Sequence, residues 1–474
     1  MQNHGNGEVM ALNFYNTMHR KKEPFTPLEG GKAGVYTCGP TVYNFVHIGN
    51  LRTFMFEDLL VRYLRYRGYA VNQVMNLTDV DDKTIKGAIR EGVSLDEYTK
   101  KYKDAFFSDI ETLNISPAQH YPEATAHIEE MVKIVKTLLD KGIAYRTQDG
   151  SVYFSISKFP DYGKLSGIKK EELLEGASGR VSADEYSKEE ARDFVLWKAW
   201  DEEDGDVFWE TELGKGRPGW HLECSAMSMK YLGPTFDIHC GGVDNMFPHH
   251  ENEIAQSEAA NERPFVKTWL HSAFLQVNSE KMAKSRGNFY TLRDLLDKGF
   301  DPMAIRYALI STHYRQPLNF SEELLAQSAA TLKRVREVYN NLKHIKKEGS
   351  SPQYTAVIKD AREGFMENLD DDLNISPALG AFFEFVKRTN TMMDQLGAKD
   401  AEMGMGFIRE INEVIGAFDL SETVLETEIL ELIKKREEAR KQKDFKKADE
   451  IRDFLLEKGI VLKDSKEGTK WEKK

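Results

Sequence analysis

The chain has 474 residues, 41% of them hydrophobic and 11% aromatic, and a formal net charge of −12. It is too long for one simple domain and rich enough in apolar residues for buried cores, so about three units are expected. The acidic balance excludes a global attraction to nucleic acid; RNA would have to be met by local basic patches and by shape. The start of the chain, MQNHGNGEVM, is polar and lacks the apolar core of a signal peptide. No stretch approaches membrane-spanning length, so no membrane partner is expected. Three cysteines, an odd number without disulfide-rich spacing, fit a reducing cytoplasm with the thiols free or on metal.

In chain order, GVYTCG (34–39) is apolar and β-prone and runs into Gly-Pro. Residues 50–69 then show helical periodicity, with Phe54, Phe56, Leu59, Leu60 and Tyr63 on the apolar side and a stop at Gly68. AVNQVMNLTDV (70–80) reads as a second strand. Strand, helix, strand predicts a parallel sheet with right-handed crossovers. Residues 121–219 read as an insertion, with a helix over 123–142 and a hairpin over 143–157 that turns at Asp149-Gly150. Its polar stretch 169–192 is expected to be a mobile loop. The β/α pattern resumes at PTFDIHCGG (234–242) and TWLHSAFLQV (268–277). From about Ser321, helical segments with short Gly/Ser/Pro breaks predict an antiparallel bundle. Beyond Thr423 come two helices and a strand-like end; Lys434–Lys447 holds eight Lys/Arg against three Asp/Glu.

Two motifs point to a nucleotide. HIGN (His47–Asn50) falls where a strand hands over to a helix. Gly49 lets a ligand approach the backbone, the helix N-terminus offers free N–H groups to phosphate, and His47 could stack on or hydrogen-bond to a nucleotide. Alone, the motif is an ordinary strand-to-helix turn; Cys38 on the strand feeding that turn gives it more weight. KMAKS (Lys281–Ser285) has two lysines, Lys281 and Lys284, before Arg-Gly. They suit a loop that neutralises a polyphosphate, although a lone basic run is usually a solvated face.

Cys38, Cys224, His249 and Glu253 supply the donors of a tetrahedral metal site. His249 and Glu253 stand one helical turn apart. His250, Glu251 and Cys240 compete with them, since His250 and Glu253 are also on one helix face and spacing does not choose. A single buried cysteine is more often a small hydrophobe; four donor types at parallel-sheet edges favour a metal. Zinc is soft enough to take a substrate thiolate directly and would hold the hard hydroxyl of serine far less well. Such polar recognition discriminates by ~10⁴ or more. Asp244 follows a Gly pair at the end of a strand, where ligands bind in doubly wound folds. It can hold ribose hydroxyls or cap the next helix. Thr78 and Asp79 in NLTDVDDK line a pocket or cap a helix, and Trp220 is either a pocket wall or a structural tryptophan.

YTCGPTVY, NLTDVDDK, GRPGWHLECSAM, IHCGGVDNMFPHHENEIAQSE and SEKMAKSRGN resemble, in order, the blocks of the cysteinyl-tRNA synthetases, which are class I aminoacyl-tRNA synthetases. HIGN is similar to the class I HIGH signature and KMAKS to KMSKS, and the resemblance runs from about Val35 to GIVLKDSKEGTKW near the end. It implies an α/β fold: a Rossmann-like doubly wound parallel-sheet catalytic domain with an insertion, an α-helical bundle and a small C-terminal domain. The implied boundaries are 1–120 and 220–280 for the catalytic halves, 121–219 for the connective insertion, 281–330 for the KMSKS loop and stem-contact region, 331–422 for the bundle and 423–474 for an anticodon-binding region.

By the same resemblance, one Zn²⁺ sits on Cys38, Cys224, His249 and Glu253, which settles the choice against His250. L-Cysteine lies against Thr78 and Trp220. ATP with Mg²⁺ lies at His47, Gly49, Asn50, Asp244 and Lys284. Catalysis falls to His47, Asn50, Lys281 and Lys284. The product is cysteinyl-tRNA-Cys, made by a monomer. Two departures stand out: Asn50 replaces the last His of HIGH and Ala283 the first Ser of KMSKS. Two other readings compete. A ligase passing cysteine to an amino sugar would lack the basic C-terminal region. A non-catalytic zinc-containing RNA-binding paralogue would not need both lysines and all four ligands.

Overall fold

The computed structural model describes residues 11–168, 193–282, 288–420, 424–465 and 468–473. The expected loop 169–192 lies outside the described residues. Four parallel strands form the centre: β1 (Lys32–Thr37), β2 (Ala70–Met75), β3 (Phe236–Gly242) and β4 (Val266–Ser272). They stand in the order β4-β3-β1-β2. Helix α1 (Ile48–Tyr66) joins β1 to β2, α2 (Trp220–Leu232) leads into β3, and α3 (Glu251–Asn261) joins β3 to β4. The chain leaves β1 toward β2 and later returns to its other side with β3. That reversal opens a crevice beyond the carboxyl ends of β1 and β3, where doubly wound folds bind ligands. Every residue of β3 is buried, as a central parallel strand requires.

Side-chain alternation along β1 divides the interior. Val35 faces a core shared by α1 and the bundle, and Tyr36 faces the opposite core, shared with α2 and the insertion. α1 buries the expected Phe54, Phe56, Leu59, Leu60 and Tyr63, together with Arg52, Glu57 and Asp58.

Two expected strands are shorter than their apolar runs. The run 70–80 leaves the sheet at Met75, because the Asn76 side chain turns back to accept the Gly39 N–H at 3.0 Å. The run 268–277 divides between two sheets. Its second part, Leu275–Val277, lies between Glu280–Lys281 and Leu318–Phe320 in a three-stranded sheet. In the insertion, the expected helix begins as a 3₁₀ turn (Ala124–His127) before Ile128–Asp140. The expected hairpin pairs Ala144–Arg146 with Val152–Phe154 and is extended into a five-stranded antiparallel sheet by Phe194–Ala199, Gly214–Pro218 and Trp209–Thr211.

Helices Glu322–Lys343, Pro352–Asp370, Ile375–Met392 and Ala398–Ile415 form the bundle. The last unit holds helices Val424–Lys441 and Phe445–Glu457 and a hairpin of Ile460–Ser465 with Gly468–Lys473, around a small core of Ile429, Ile433, Leu455 and Ile460.

A buried ion pair ties α1 to the helix Pro302–Ile310, which in turn reaches the bundle. Arg306 has no exposed surface and meets Asp58 at 2.5 Å. It also donates to the carbonyls of Leu113, Asn114 and Ile415 at 3.0, 2.9 and 2.8 Å. Asp58→Ala would strand that guanidinium without its counter-charge. It is expected to cost ~3–5 kcal/mol of stability, to be read from urea unfolding.

Candidate functional site

His47 sits on the loop from β1 and caps α1. Its Nδ1 accepts the Asn50 N–H at 3.1 Å, and the Asn50 Oδ1 accepts the His47 N–H at 3.2 Å. HIGN thus closes into a capping box. With Nδ1 the acceptor, the ring proton stands on Nε2. Gly49 is required here: a Cβ would lie 2.9 Å from both Nδ1 and Cε1 of His47 and 3.3 Å from Cε of Met282.

Met282 belongs to KMAKS, so the two motifs touch. Beyond the loop, the Tyr290 carbonyl accepts the Ile48 N–H at 2.9 Å, His47 forms a bridge with Thr291, and the Phe289 ring stands edge-on to His47 at 5.2 Å. Both flanks of the KMAKS loop are therefore tied to HIGN. Lys284 lies outside the described residues, and Lys281 is described only as the backbone of the strand Glu280–Lys281.

On the β3 side of the crevice, Gly241 and Gly242 make room for two side chains. A Cβ at Gly242 would lie 2.3 Å from Oδ1 of Asp244, and one at Gly241 2.7 Å from Cε1 of His250. Asp244 is exposed at the crevice rim.

Cys38 follows β1, Cys224 lies on α2, His249 just precedes α3 and Glu253 lies within it. All four are buried, and their donor atoms lie within 4.8 Å of one another. A second set, Cys38, His239, His250 and Glu253, meets the same condition. The structure therefore brings together the expected four and also keeps His250 nearby. Oε1 of Glu253 stands 3.0 Å from Nε2 of His249 and lacks a well-formed hydrogen bond, so the two atoms face a common space that a cation could fill once His249 gives up its proton. The residues present fit a cation there.

Two residues that the sequence reading missed support this set. His221 Nδ1 is 2.9 Å from His249 Nδ1, and His239 Nε2 is 3.0 Å from the other Glu253 oxygen. His250 borders the same pocket, with Nε2 3.3 Å from Sγ of Cys38, and its Nδ1 is 2.8 Å from His271, which the sequence reading also missed. Ligand-orienting partners of this kind accompany metal sites.

The electrostatics are those of a pocket short of positive charge. A hydrogen bond from Cys38, against burial, brings the Cys224 thiol down to about 6, while the same bond and burial push Cys38 well up. Burial raises Glu253, but His239 and His249 outweigh it and hold it at about 2. Burial opposes a proton on His249, but Glu253 and Cys224 outweigh it and raise it to about 10. Burial keeps His221 and His250 neutral, each pushed well down.

The remaining candidates separate cleanly. Glu251 accepts from the Gly163 N–H at 2.9 Å and from the Ser166 N–H and hydroxyl at 2.8 Å, so it clasps the insertion and faces no metal position. Cys240 is fully buried in the apolar core beside α1, and its thiol is pushed up by burial. Asp79 holds the N–H and hydroxyl of Thr125 at 3.0 and 2.7 Å, and Asp81 caps the helix Asp82–Glu91. Thr78 packs beside Pro40, where its Oγ1 accepts from Asn76 at 3.1 Å and its hydroxyl faces the buried carboxyl of Glu223. Trp220 stacks on His249, centroids 4.2 Å apart.

Known proteins share this organisation. The model of the class I (C) tRNA synthetase catalytic domain matches residues 24–330, that of the DALR domain 364–419, and that of the cysteinyl-tRNA ligase anticodon binding domain 423–471. The cysteine–tRNA ligase of Brachyspira hyodysenteriae is 53% identical over 470 residues, covering 97% of this chain and 99% of its own. That of Protochlamydia amoebophila is 49% identical over 469 residues, covering 98% of each. Among solved structures, Mycobacterium tuberculosis methionyl-tRNA synthetase in complex with methionyl-adenylate is 17% identical, with a TM-score of 0.58 over 81% of this chain and 89% of that one. The agnB2 LeuRS of Agrobacterium radiobacter K84, in a ternary complex with tRNA and LeuAMS, is 11% identical, with a TM-score of 0.60 over 83% of this chain and 85% of that one. These two show a shared fold. On sequence, this chain belongs to the cysteinyl-tRNA synthetases, or cysteine–tRNA ligases, of class I.

Proposed function

We propose that this chain activates L-cysteine with ATP and passes it to the 3′ end of tRNA-Cys, with a zinc ion on Cys38, Cys224, His249 and Glu253 choosing the amino acid. The observation that carries this reading is adjacency. Cys38 and His47 lie at the two ends of one connection, from β1 to α1, so the buried donor cluster and the phosphate-facing helix N-terminus share a crevice.

In the reaction, the cysteine carboxylate attacks the α-phosphate of ATP in line, giving cysteinyl-adenylate and pyrophosphate. A terminal ribose hydroxyl of the tRNA then takes the acyl group. Catalysis rests on positioning and charge stabilisation. His47 offers its Nε2–H to phosphate. Asn50 spends its carbonyl oxygen on the cap, which leaves its Nδ2 as the donor replacing an imidazole. Lys281 and Lys284 neutralise the polyphosphate, which arrives with Mg²⁺, and Asp244 takes the ribose. Trp220 and the Thr78 hydroxyl flank the cysteine. Zinc, when bound, supplies a soft acceptor for the cysteine sulfur. His249 is preferred to His250 because the unbonded Glu253 oxygen faces its Nε2.

The bundle and the Lys434–Lys447 stretch offer the local RNA contacts that the net charge of −12 demands. The match to an anticodon-binding domain supports tRNA over an amino sugar as the acceptor. No helix among the described residues is long and apolar enough to cross a membrane. Three buried cysteines without a disulfide fit a reducing cytoplasm. The test is cysteine-dependent ATP–pyrophosphate exchange followed by charging of tRNA-Cys. Absence of exchange would overturn the reading, and exchange without charging would point to the amino-sugar ligase.

Metal uptake has its own signature. His249 and Cys38 must lose their protons to become ligands, so binding releases protons and tightens as pH rises. The Zn²⁺ dissociation constant, measured against a chelating indicator between pH 6 and 8, is expected to fall about tenfold per pH unit for each proton released. A constant flat across that range would contradict the assignment.

A further inference from the structure

An acidic turn is one of the bundle's grips on the catalytic domain, beside the contacts of Tyr66 with Glu410 and of Arg306 with the Ile415 carbonyl. Helix Pro352–Asp370 ends in Asp370-Asp371-Asp372-Leu373, where Asp372 and Leu373 take φ of 65° and 52°. Three successive carboxylates repel one another, and a left-handed leucine is unfavourable. Partners outside the bundle hold the turn in this shape. Asp370, 3% exposed, accepts from the Tyr63 hydroxyl at 2.6 Å and pairs with Arg67. Asp372, fully buried, accepts from the Tyr314 hydroxyl at 2.6 Å, the Tyr15 N–H at 2.8 Å and Arg315 Nε at 2.8 Å. Asp371 reaches Lys22 at 2.6 Å.

Each buried carboxylate leads to one nucleotide-binding motif. Tyr63 and Arg67 stand at the far end of α1, the helix that HIGN caps. Tyr314 stacks on Phe56 of the same helix, centroids 4.3 Å apart, and its carbonyl accepts the Ala273 N–H at 2.7 Å. Just beyond it, Leu318–Phe320 pairs with Leu275–Val277, which pairs with Glu280–Lys281, the strand that opens KMAKS. Through Asp370 and Asp372, the end of helix Pro352–Asp370 and the turn after it thus connect to the elements that carry both halves of the ATP site. The bundle also precedes the unit that matches an anticodon-binding domain. Nothing in the adenylate chemistry needs this turn; alignment of a tRNA held at the bundle with the adenylate does.

We propose that Asp370 and Asp372 are positioning residues that register the bundle against HIGN and KMAKS for the transfer step. The inference rests on the ligase reading above. It is tested in the full chain with Tyr63→Phe, which removes one hydroxyl, and Asp370→Asn, which removes one charge without changing shape. Pyrophosphate exchange is expected to stay within about twofold of wild type, while kcat/KM for tRNA charging falls about tenfold, within the usual coupling range. The double variant is expected to fall no further than the worse single one, because both changes break the same contact. Exchange and charging falling together, neither step changing, or additive losses would overturn the proposal. Tyr63→Phe leaves the packing of the ring intact and stands as the arm that folds. Wild-type chain failing at both steps would remove the ligase reading itself; wild type active in both, with variants whose two steps move together, would remove this inference alone.

Discussion

Cys224→Ser is expected to remove the metal and the choice of cysteine over serine together. Cys224 is 1% exposed and serine has nearly its shape, so the fold should survive. The chemistry does not. The Cys224 thiol is brought to about 6 by its hydrogen bond from Cys38, so it is a ready thiolate, whereas a serine hydroxyl stays protonated and hard. Zinc content, by elemental analysis, should fall from one per chain toward none. Discrimination against serine in pyrophosphate exchange should collapse from ~10⁴ or more to about tenfold or less. A variant that loses its zinc and still rejects serine would show that selection lies elsewhere.

Gly49→Ala is expected to leave the metal site untouched and disable the ATP site. The added Cβ would lie 2.9 Å from two atoms of the His47 ring, closer than nonbonded carbons come, and 3.3 Å from Met282. The ring must swing off its cap or the KMAKS flank must withdraw, and either displaces a phosphate-facing group. Misplacement of this order costs about 10²-fold in rate. Cysteine-dependent exchange should fall by that factor at unchanged zinc content. Exchange within twofold of wild type would mean that His47 does not act from the position seen here.

Features set by local periodicity were legible in the sequence. The apolar stripe of α1 lies where a period of 3.6 puts it, and Gly-Pro after β1 marked the turn toward HIGN. Cysteines are scarce in this chain and drew attention to a metal site, the family resemblance chose Cys38, Cys224, His249 and Glu253 among the candidates, and the fold brings their donor atoms together. What escaped depends on tertiary partners. His221, His239 and His271 are single histidines in buried segments, without spacing to mark them. Glu251 looked as able to bind metal as Glu253 until the insertion was seen to occupy it. Asn76 ends β2 through a bond from its own side chain, which hydropathy does not register. The HIGN cap uses His and Asn in place of the usual Ser or Thr and Glu pair, so the capping pattern was invisible. Three aspartates in a row carry no hydropathic sign of burial, yet Asp370 and Asp372 are buried by partners from other elements.

The most direct test of a metal that reads the cysteine sulfur is spectroscopic. With Co²⁺ loaded in place of zinc, addition of L-cysteine is expected to strengthen the sulfur-to-metal charge-transfer band, and L-serine to leave it unchanged. A spectrum that responds identically to both amino acids, or to neither, would contradict the reading.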